Sequence, residues 1–222
     1  MAAYRAERWI LSAVKSVGRQ AELRIGVDGC ESTARVLSAA GVPFWYSPEN
    51  VGAYVMRNSL AALATASHYL IFDADDVMDP DYVERLTEAA GERGLAGCAR
   101  RVWRDEDGLI PEDLAAFRVV PFDTGRPTIS RAAWERLGGF APWRVSADTD
   151  LWWRARDMGL PLTTLPTPHL TARLHPGSLM GSPDTRLGSP LRDRAFREIH
   201  RRLAAGLLSI PAPETVALEA VQ

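Results

Sequence analysis

Three carboxylates crowd one short stretch of this chain, Ile71-Phe72-Asp73-Ala74-Asp75-Asp76. Two carboxylates spaced by one residue, as Asp73 and Asp75 are, can hold a hard divalent cation such as Mn²⁺ or Mg²⁺. The ion bridges diphosphate oxygens and stabilises the charge that develops on a departing nucleotide. Ala74 is small enough to leave room for that ligand. Asp148 and Asp150 form a second acidic pair, and a carboxylate away from the metal can take the proton of an attacking hydroxyl. His175 adds an imidazole, which can complete a site that two carboxylates leave open. Residue type alone leaves plainer readings beside these: an acidic turn before a helix, helix capping by Asp148 and Asp150, and a surface histidine.

Such groups act together only if secondary structure converges on them. Ile10, Leu11, Val14 and Val17 recur on one face of an expected helix over 7–17, and residues 23–27 alternate as a short strand that Asp28-Gly29 ends. A helix over 32–40 closed by Gly41, a strand over 43–46, a helix over 51–66 and an apolar strand over 68–72 follow. Pro80 opens the next helix. Strands and helices alternating in this way predict an α/β fold with a mainly parallel sheet flanked by helices. Ligands of open parallel sheets bind at the carboxyl ends of the strands, and Asp73, Asp75 and Asp76 follow such a strand directly. Beyond Gly91 the pieces shorten: a strand over 95–103, a helix over 131–137 ended by Gly138-Gly139, a helix over 148–158, strands over 162–165 and 169–174, and a helix over 190–208. The tail with Pro211 and Pro213 is expected to be loose.

At 222 residues and 46% hydrophobic content the chain can bury one substantial core, read here as a single domain over 1–222. Residues 1–92 form its nucleotide-binding half, 93–180 an acceptor and catalytic elaboration, and 181–222 a terminal helix and tail. A net charge of -2 gives no general attraction to polyanions. Cys30 and Cys98, the two cysteines, exclude a disulfide framework and make no zinc cluster, which fits a cytoplasmic setting. No apolar run reaches the roughly 18 to 20 residues that span a bilayer, and the first residues lack the apolar core of a signal peptide. One strongly basic stretch, with Arg186, Arg192, Arg194, Arg197, His200 and Arg201, reads as a solvated helix face or as an attractor of a phosphate-bearing partner.

The order of blocks narrows these readings. Tyr4 with Arg5 to Ile10, Val27-Asp28-Gly29-Cys30, Asn50-Val51-Gly52, Arg57-Asn58 and the acidic loop, then Leu137-Gly138-Gly139-Phe140, Asp148-Thr149-Asp150-Leu151 and Arg173-Leu174-His175, together resemble the inverting glycosyltransferases of family 2. That resemblance implies a GT-A-like, Rossmann-like fold and transfer of a sugar from a nucleotide-sugar donor, a UDP-sugar by expectation. The acceptor is open among a glycan, a lipid-linked sugar, a protein and a nucleic acid. It further implies donor contacts from Tyr4, Asp28, Arg57, Asp73 and Asp75, a metal held by Asp73, Asp75 and His175, and Asp148 as base. Asp150 and Trp143 fall on the acceptor side, where an indole can pack on the C–H face of a sugar.

The chain also departs from the family pattern. Val27 replaces an acidic neighbour of Asp28, Cys30 replaces a serine, and Ala147 stands where a glutamate precedes the base. Only Met1-Ala2-Ala3 remains of an opening strand, so a central strand is expected to be missing. An upstream start, a reduced sheet, or a strand from another copy in a homo-oligomer would each answer that gap, and a reduced sheet is preferred. The alternative function is a sugar-nucleotide-binding protein without transfer activity. A nucleotidyltransferase would carry a Gly-rich basic phosphate loop near the N-terminus, which this sequence lacks.

Overall fold

In the computed structural model, which describes residues 1–104 and 117–222, the chain opens with a two-residue strand, β1 (Ala2–Ala3). There follow α1 (Ile10–Val17), β2 (Gly26–Asp28), α2 (Glu31–Ala39), β3 (Phe44–Ser47) and α3 (Ala53–Ala62). β1 pairs parallel with β2, and β2 parallel with β3. Ala2 also makes a parallel bridge to Asp73. The opening strand expected to be missing is therefore present over Ala2–Ala3, between β2 and the acidic loop. Its two alanines carry small apolar side chains, and Ala3 is fully buried.

The remaining elements are β4 (His68–Leu70), β5 (Val77–Met78), α4 (Tyr82–Ala90), β6 (Leu95–Arg104), β7 (Arg118–Val120), β8 (Thr128–Ser130), α5 (Arg131–Leu137), α6 (Ala147–Asp157), β9 (Leu162–Leu174), α7 (Pro190–Ala204) and β10 (Glu219–Val221). Their sheet runs β4-β8-β6-β9-β5, with β7 on β6. The expected α/β architecture is present; β2 and β3 have the expected parallel pairing, and β1, expected to be missing, joins them in parallel. In the later sheet only β6 and β9 are parallel among the described strands, and the other pairs are antiparallel. The strands expected over 162–165 and 169–174 are one continuous element, β9. Its pairing with β6 slips between Cys98 and Arg101, opposite Pro166 and Pro168, which have no N–H to donate.

Two apolar clusters hold these layers. One gathers Ile10, Ile25, Leu37, Phe72, Tyr82 and Leu86, and the other Leu95, Ile129, Leu137, Phe140, Leu151 and Trp152. The tail expected to be loose is tied down. Ile210 N–H donates to Leu137 O at 2.9 Å, Asn58 Nδ2 to Glu214 O at 3.1 Å and Val216 N–H to Ser59 Oγ at 2.9 Å. β10 then adds an antiparallel edge to β3. Prolines do break the helical pattern, but these backbone partners lie on α3 and α5, far from the tail in sequence. Among the described residues no helix is long and apolar enough to cross a membrane.

Candidate active site

The apolar residues Ile71 and Phe72 carry the chain from β4 into the acidic loop, and Ile71 N–H donates to Pro127 O at 3.0 Å. Asp73 is ion-paired with Arg57 on one oxygen and with Arg126 Nη2 at 3.0 Å on the other. Burial works against its charge, but the guanidiniums of Arg126 and Arg57 outweigh that and hold its carboxyl below the usual carboxylate range. Asp76, fully buried, accepts from Arg126 Nε and from Arg173 N–H at 3.0 Å. Arg126 reaches Asp123 as well, Nη1 to Oδ2 at 3.0 Å. Burial alone would lower its pKa, yet Asp76, Asp123 and Asp73 together push it well above the ordinary arginine range. One guanidinium thus gathers three carboxylates.

Asp75 stands apart from that hub. Its Oδ2 lies 3.1 Å from His175 Nε2, and the His175 ring packs on Trp9 with centroids 4.0 Å apart. Ligand atoms of Asp73, Asp75 and Asp76 fall within 4.8 Å of one another, as a divalent cation requires. The chemistry of the three differs, however. Asp73 and Asp76 already face arginines, whereas Asp75 and His175 face each other. The 3.1 Å between Asp75 and His175 is of hydrogen-bond length, and the cluster of three carboxylates is compatible with a divalent cation.

Asp28 ends β2 almost fully buried. Its Oδ1 accepts from Val51 N–H at 2.7 Å and its Oδ2 from Gly52 N–H at 3.0 Å, and Asn50 Nδ2 also donates to it at 3.2 Å. Burial raises its pKa against the pull of those backbone donors. Gly29 follows at φ 63°, and a Cβ there would stand 2.5 Å from Asn50 N, so only glycine lets the two loops touch. These contacts delay the start of α3 to Ala53, two residues past its expected start. Tyr4 is exposed at the end of β1, with the Arg5 guanidinium 5.1 Å from its ring centroid. Arg57 reaches Asp73 from α3 and lies over the Tyr54 ring at 5.1 Å.

Asp148 sits in the first turn of α6, where the helix dipole favours negative charge. Tyr54 Oη donates to its Oδ1 at 2.8 Å and Thr124 Oγ1 to its Oδ2 at 3.2 Å. Burial and the nearby Asp148 carboxylate raise the Tyr54 pKa well above its ordinary value, so the phenol keeps its proton and donates. Because Tyr54 also underlies Arg57, and Thr124 neighbours Asp123, Asp148 belongs to the same constellation as the acidic loop. Asp150 does not. It is fully buried, its Oδ2 accepts from Arg154 Nε at 2.8 Å, and Arg154 in turn donates to Leu137 O and Gly139 O, both at 2.8 Å. The expected acceptor-side position of Asp150 is thus corrected: the side chain turns inward and secures the double-glycine turn. Trp143 packs half-buried against the second apolar cluster.

Sequence reasoning missed Arg126, Asp123, Thr124 and Tyr54. The first three lie in a loop without periodicity, and Tyr54 reads as one more apolar residue of α3. Only the acidic surplus of the 73–76 loop signals that some cation must meet it. The basic stretch also changes meaning. Arg192 points inward, donating to Ser146 Oγ at 3.2 Å and to Thr185 O at 2.7 Å, and Arg201 pairs with Glu198 on its own helix.

A comparison with curated proteins finds no match. Among solved structures, S. aureus TarS 1-349 in complex with UDP-GlcNAc is similar with a TM-score of 0.68 and 15% identity, over 96% of this chain and 66% of that one. The mannosyltransferase PcManGT from Pyrobaculum calidifontis, in complex with GDP-Man and Mn²⁺, is similar with a TM-score of 0.58 and 18% identity, over 96% of this chain and 64% of that one. The chain spans just under two thirds of the length of those chains, and the likeness is one of fold, the expected GT-A-like one. The model described as glycosyl transferase family 2 matches residues 1–152, from β1 into the first half of α6. The chain belongs to glycosyl transferase family 2.

Proposed function

We propose that this chain transfers a sugar from a nucleotide-sugar donor, UDP-linked, to an acceptor hydroxyl with inversion at the anomeric carbon, assisted by Mn²⁺ or Mg²⁺. The observation that carries this reading is the linkage of Asp148, through Tyr54 and Thr124, to the loop that gathers Asp73, Asp75 and Asp76. A proton acceptor and a diphosphate site then share one constellation. PcManGT, similar in fold, is a mannosyltransferase complexed with GDP-Man and Mn²⁺, which supports the donor class and the ion type. Tyr4, Asp28, Arg57, Asp73 and Asp75 serve the donor in this reading.

Asp75 and His175 would hold the ion, with Asp73 close by. When bound, it supplies positive charge to the departing diphosphate. Asp148 takes the proton of the acceptor hydroxyl as that oxygen forms its bond to the anomeric carbon. The bond from that carbon to the diphosphate oxygen breaks, and its electron pair leaves with the nucleotide. Tyr54 and Thr124 fix the Asp148 carboxylate with one donor on each oxygen, leaving lone pairs free for the acceptor. Arg57 and Arg126 keep Asp73 ionised.

Calorimetry with UDP, with and without Mn²⁺, paired with a donor-hydrolysis assay, tests both halves. Asp75→Ala should abolish Mn²⁺-dependent UDP binding. Asp148→Asn should bind UDP as the parent does and lose about 10²- to 10⁴-fold in turnover. Full turnover by Asp148→Asn would rule out this base, and tight UDP binding with no turnover of any donor by the parent chain would leave only the binding function.

A further inference from the structure

The loop between β7 and β8 carries an exposed aromatic ring, Phe122, packed on α6, the helix that carries Asp148. Asp123, 2% exposed, pins that loop from within, through Arg100, Arg126 and Gly125 N–H at 3.0 Å. Its two neighbours, Phe122 and Thr124, both meet α6. Thr124 Oγ1 donates to Asp148 at 3.2 Å and its carbonyl accepts from Trp152 Nε1 at 3.1 Å. Phe122 packs edge-on against the same Trp152, with centroids 5.4 Å apart and planes at 72°. Asp148 and Trp152 are four residues apart in one helix, so they share a face one turn apart. Trp152 is 4% exposed, whereas Phe122 remains 43% exposed. Phe122 thus rests on a buried ring one helical turn from Asp148 and keeps much of its own surface open to solvent.

We infer that Phe122 is the apolar platform of an acceptor subsite and that the acceptor group is a pyranose ring. The inference rests on Asp148 as base. A pyranose presents a C–H face that packs on an aromatic ring while its hydroxyls project from the rim. A ring stacked on Phe122 would lie against α6, the helix that carries Asp148. Phosphate would need free cations here, but Arg100 and Arg126 are turned to Asp123. Trp143 is half-buried against the second apolar cluster, and Phe122 takes this role in its place.

The test compares the parent chain with Phe122→Ala and the conservative Phe122→Trp. Methyl glycosides of glucose, galactose, mannose and N-acetylglucosamine serve as probes in saturation-transfer NMR with UDP and Mn²⁺ present. At least one should show transfer from the parent, lose it in Phe122→Ala and regain it in Phe122→Trp, while the affinity for UDP and the melting temperature stay unchanged. In a transfer assay Phe122→Ala should raise KM for that glycoside about tenfold with kcat within about twofold, and lower its preference over glycerol by the same factor. No signal from any glycoside with the parent chain, or an unchanged signal in Phe122→Ala, would overturn the platform. If the glycoside signal behaves as expected but donor turnover is absent, the transferase reading fails and the platform stands as a sugar-binding subsite.

Discussion

Asp73 would be a poor carboxylate to bury were it not for two arginines. Its pKa is lowered on folding, while the unfolded chain titrates it near about 3.9. A group so depressed contributes stability that is fully present above its unfolded pKa and lost as pH falls through its folded value. Acid should therefore loosen this site below about pH 4. Arg126→Met removes a counter-charge of Asp73, Asp76 and Asp123 and leaves the buried Asp76 without its ion-pair partner, so the acid unfolding midpoint, followed by circular dichroism, should move upward. A midpoint equal to that of the parent chain would show that Arg126 does not hold the charges. Here the sequence was half legible. It marks the carboxylates by their crowding, and hides their partner, because Arg126 is one of many arginines until the chain folds back.

Short elements are set by their ends. Residues 131–137 read as a helix ended by Gly138-Gly139, and Gly138 does leave it in the left-handed region at φ 69°; the structure adds a cap at its start, where Ser130 Oγ accepts from Ala133 N–H at 3.2 Å. A Cβ on Gly138 would stand 1.8 Å from Ile210 O, a contact no helical pattern could announce. Gly138→Ala should destabilise the chain by more than the roughly 1–2 kcal/mol of a left-handed alanine, since the tail must also shift. Urea unfolding measures the loss, and faster proteolysis of residues 209–222 would accompany it. The start of α6 depends on distant help as well. Ser146 adopts φ 65° just before Ala147 and Asp148, and Arg192 of α7 donates to its hydroxyl. The helix that carries Asp148 is thus positioned from its own sequence at one end and from α7 at the other.

Across the whole molecule the last residues join what the first ones begin. The tail bonds α3 through Asn58 and Ser59, α5 through Leu137, and β3 through β10. Asn58 binds Phe140 too, its Oδ1 accepting from Phe140 N–H at 3.0 Å, so the donor-side helix α3 and the double-glycine turn share one side chain. Removing residues 209–222 should lower stability by about 3 to 5 kcal/mol, at roughly 1 kcal/mol for each hydrogen bond lost, and weaken UDP binding. Chemical denaturation and UDP calorimetry on the shortened chain would show it, and parent-like values for both would make the tail dispensable. Sequence by itself determined the helices with strong periodicity, the strand that precedes the acidic loop, and the carboxylates that can bind a metal or take a proton, because period, capping and residue chemistry are local properties. Tertiary structure alone decided that Asp150 faces Arg154, that Arg126 unites three carboxylates, that two alanines suffice for a first strand and that the tail is a strand. Each of those outcomes depends on satisfying buried charges and backbone groups with partners remote in sequence, and no local pattern records such partners.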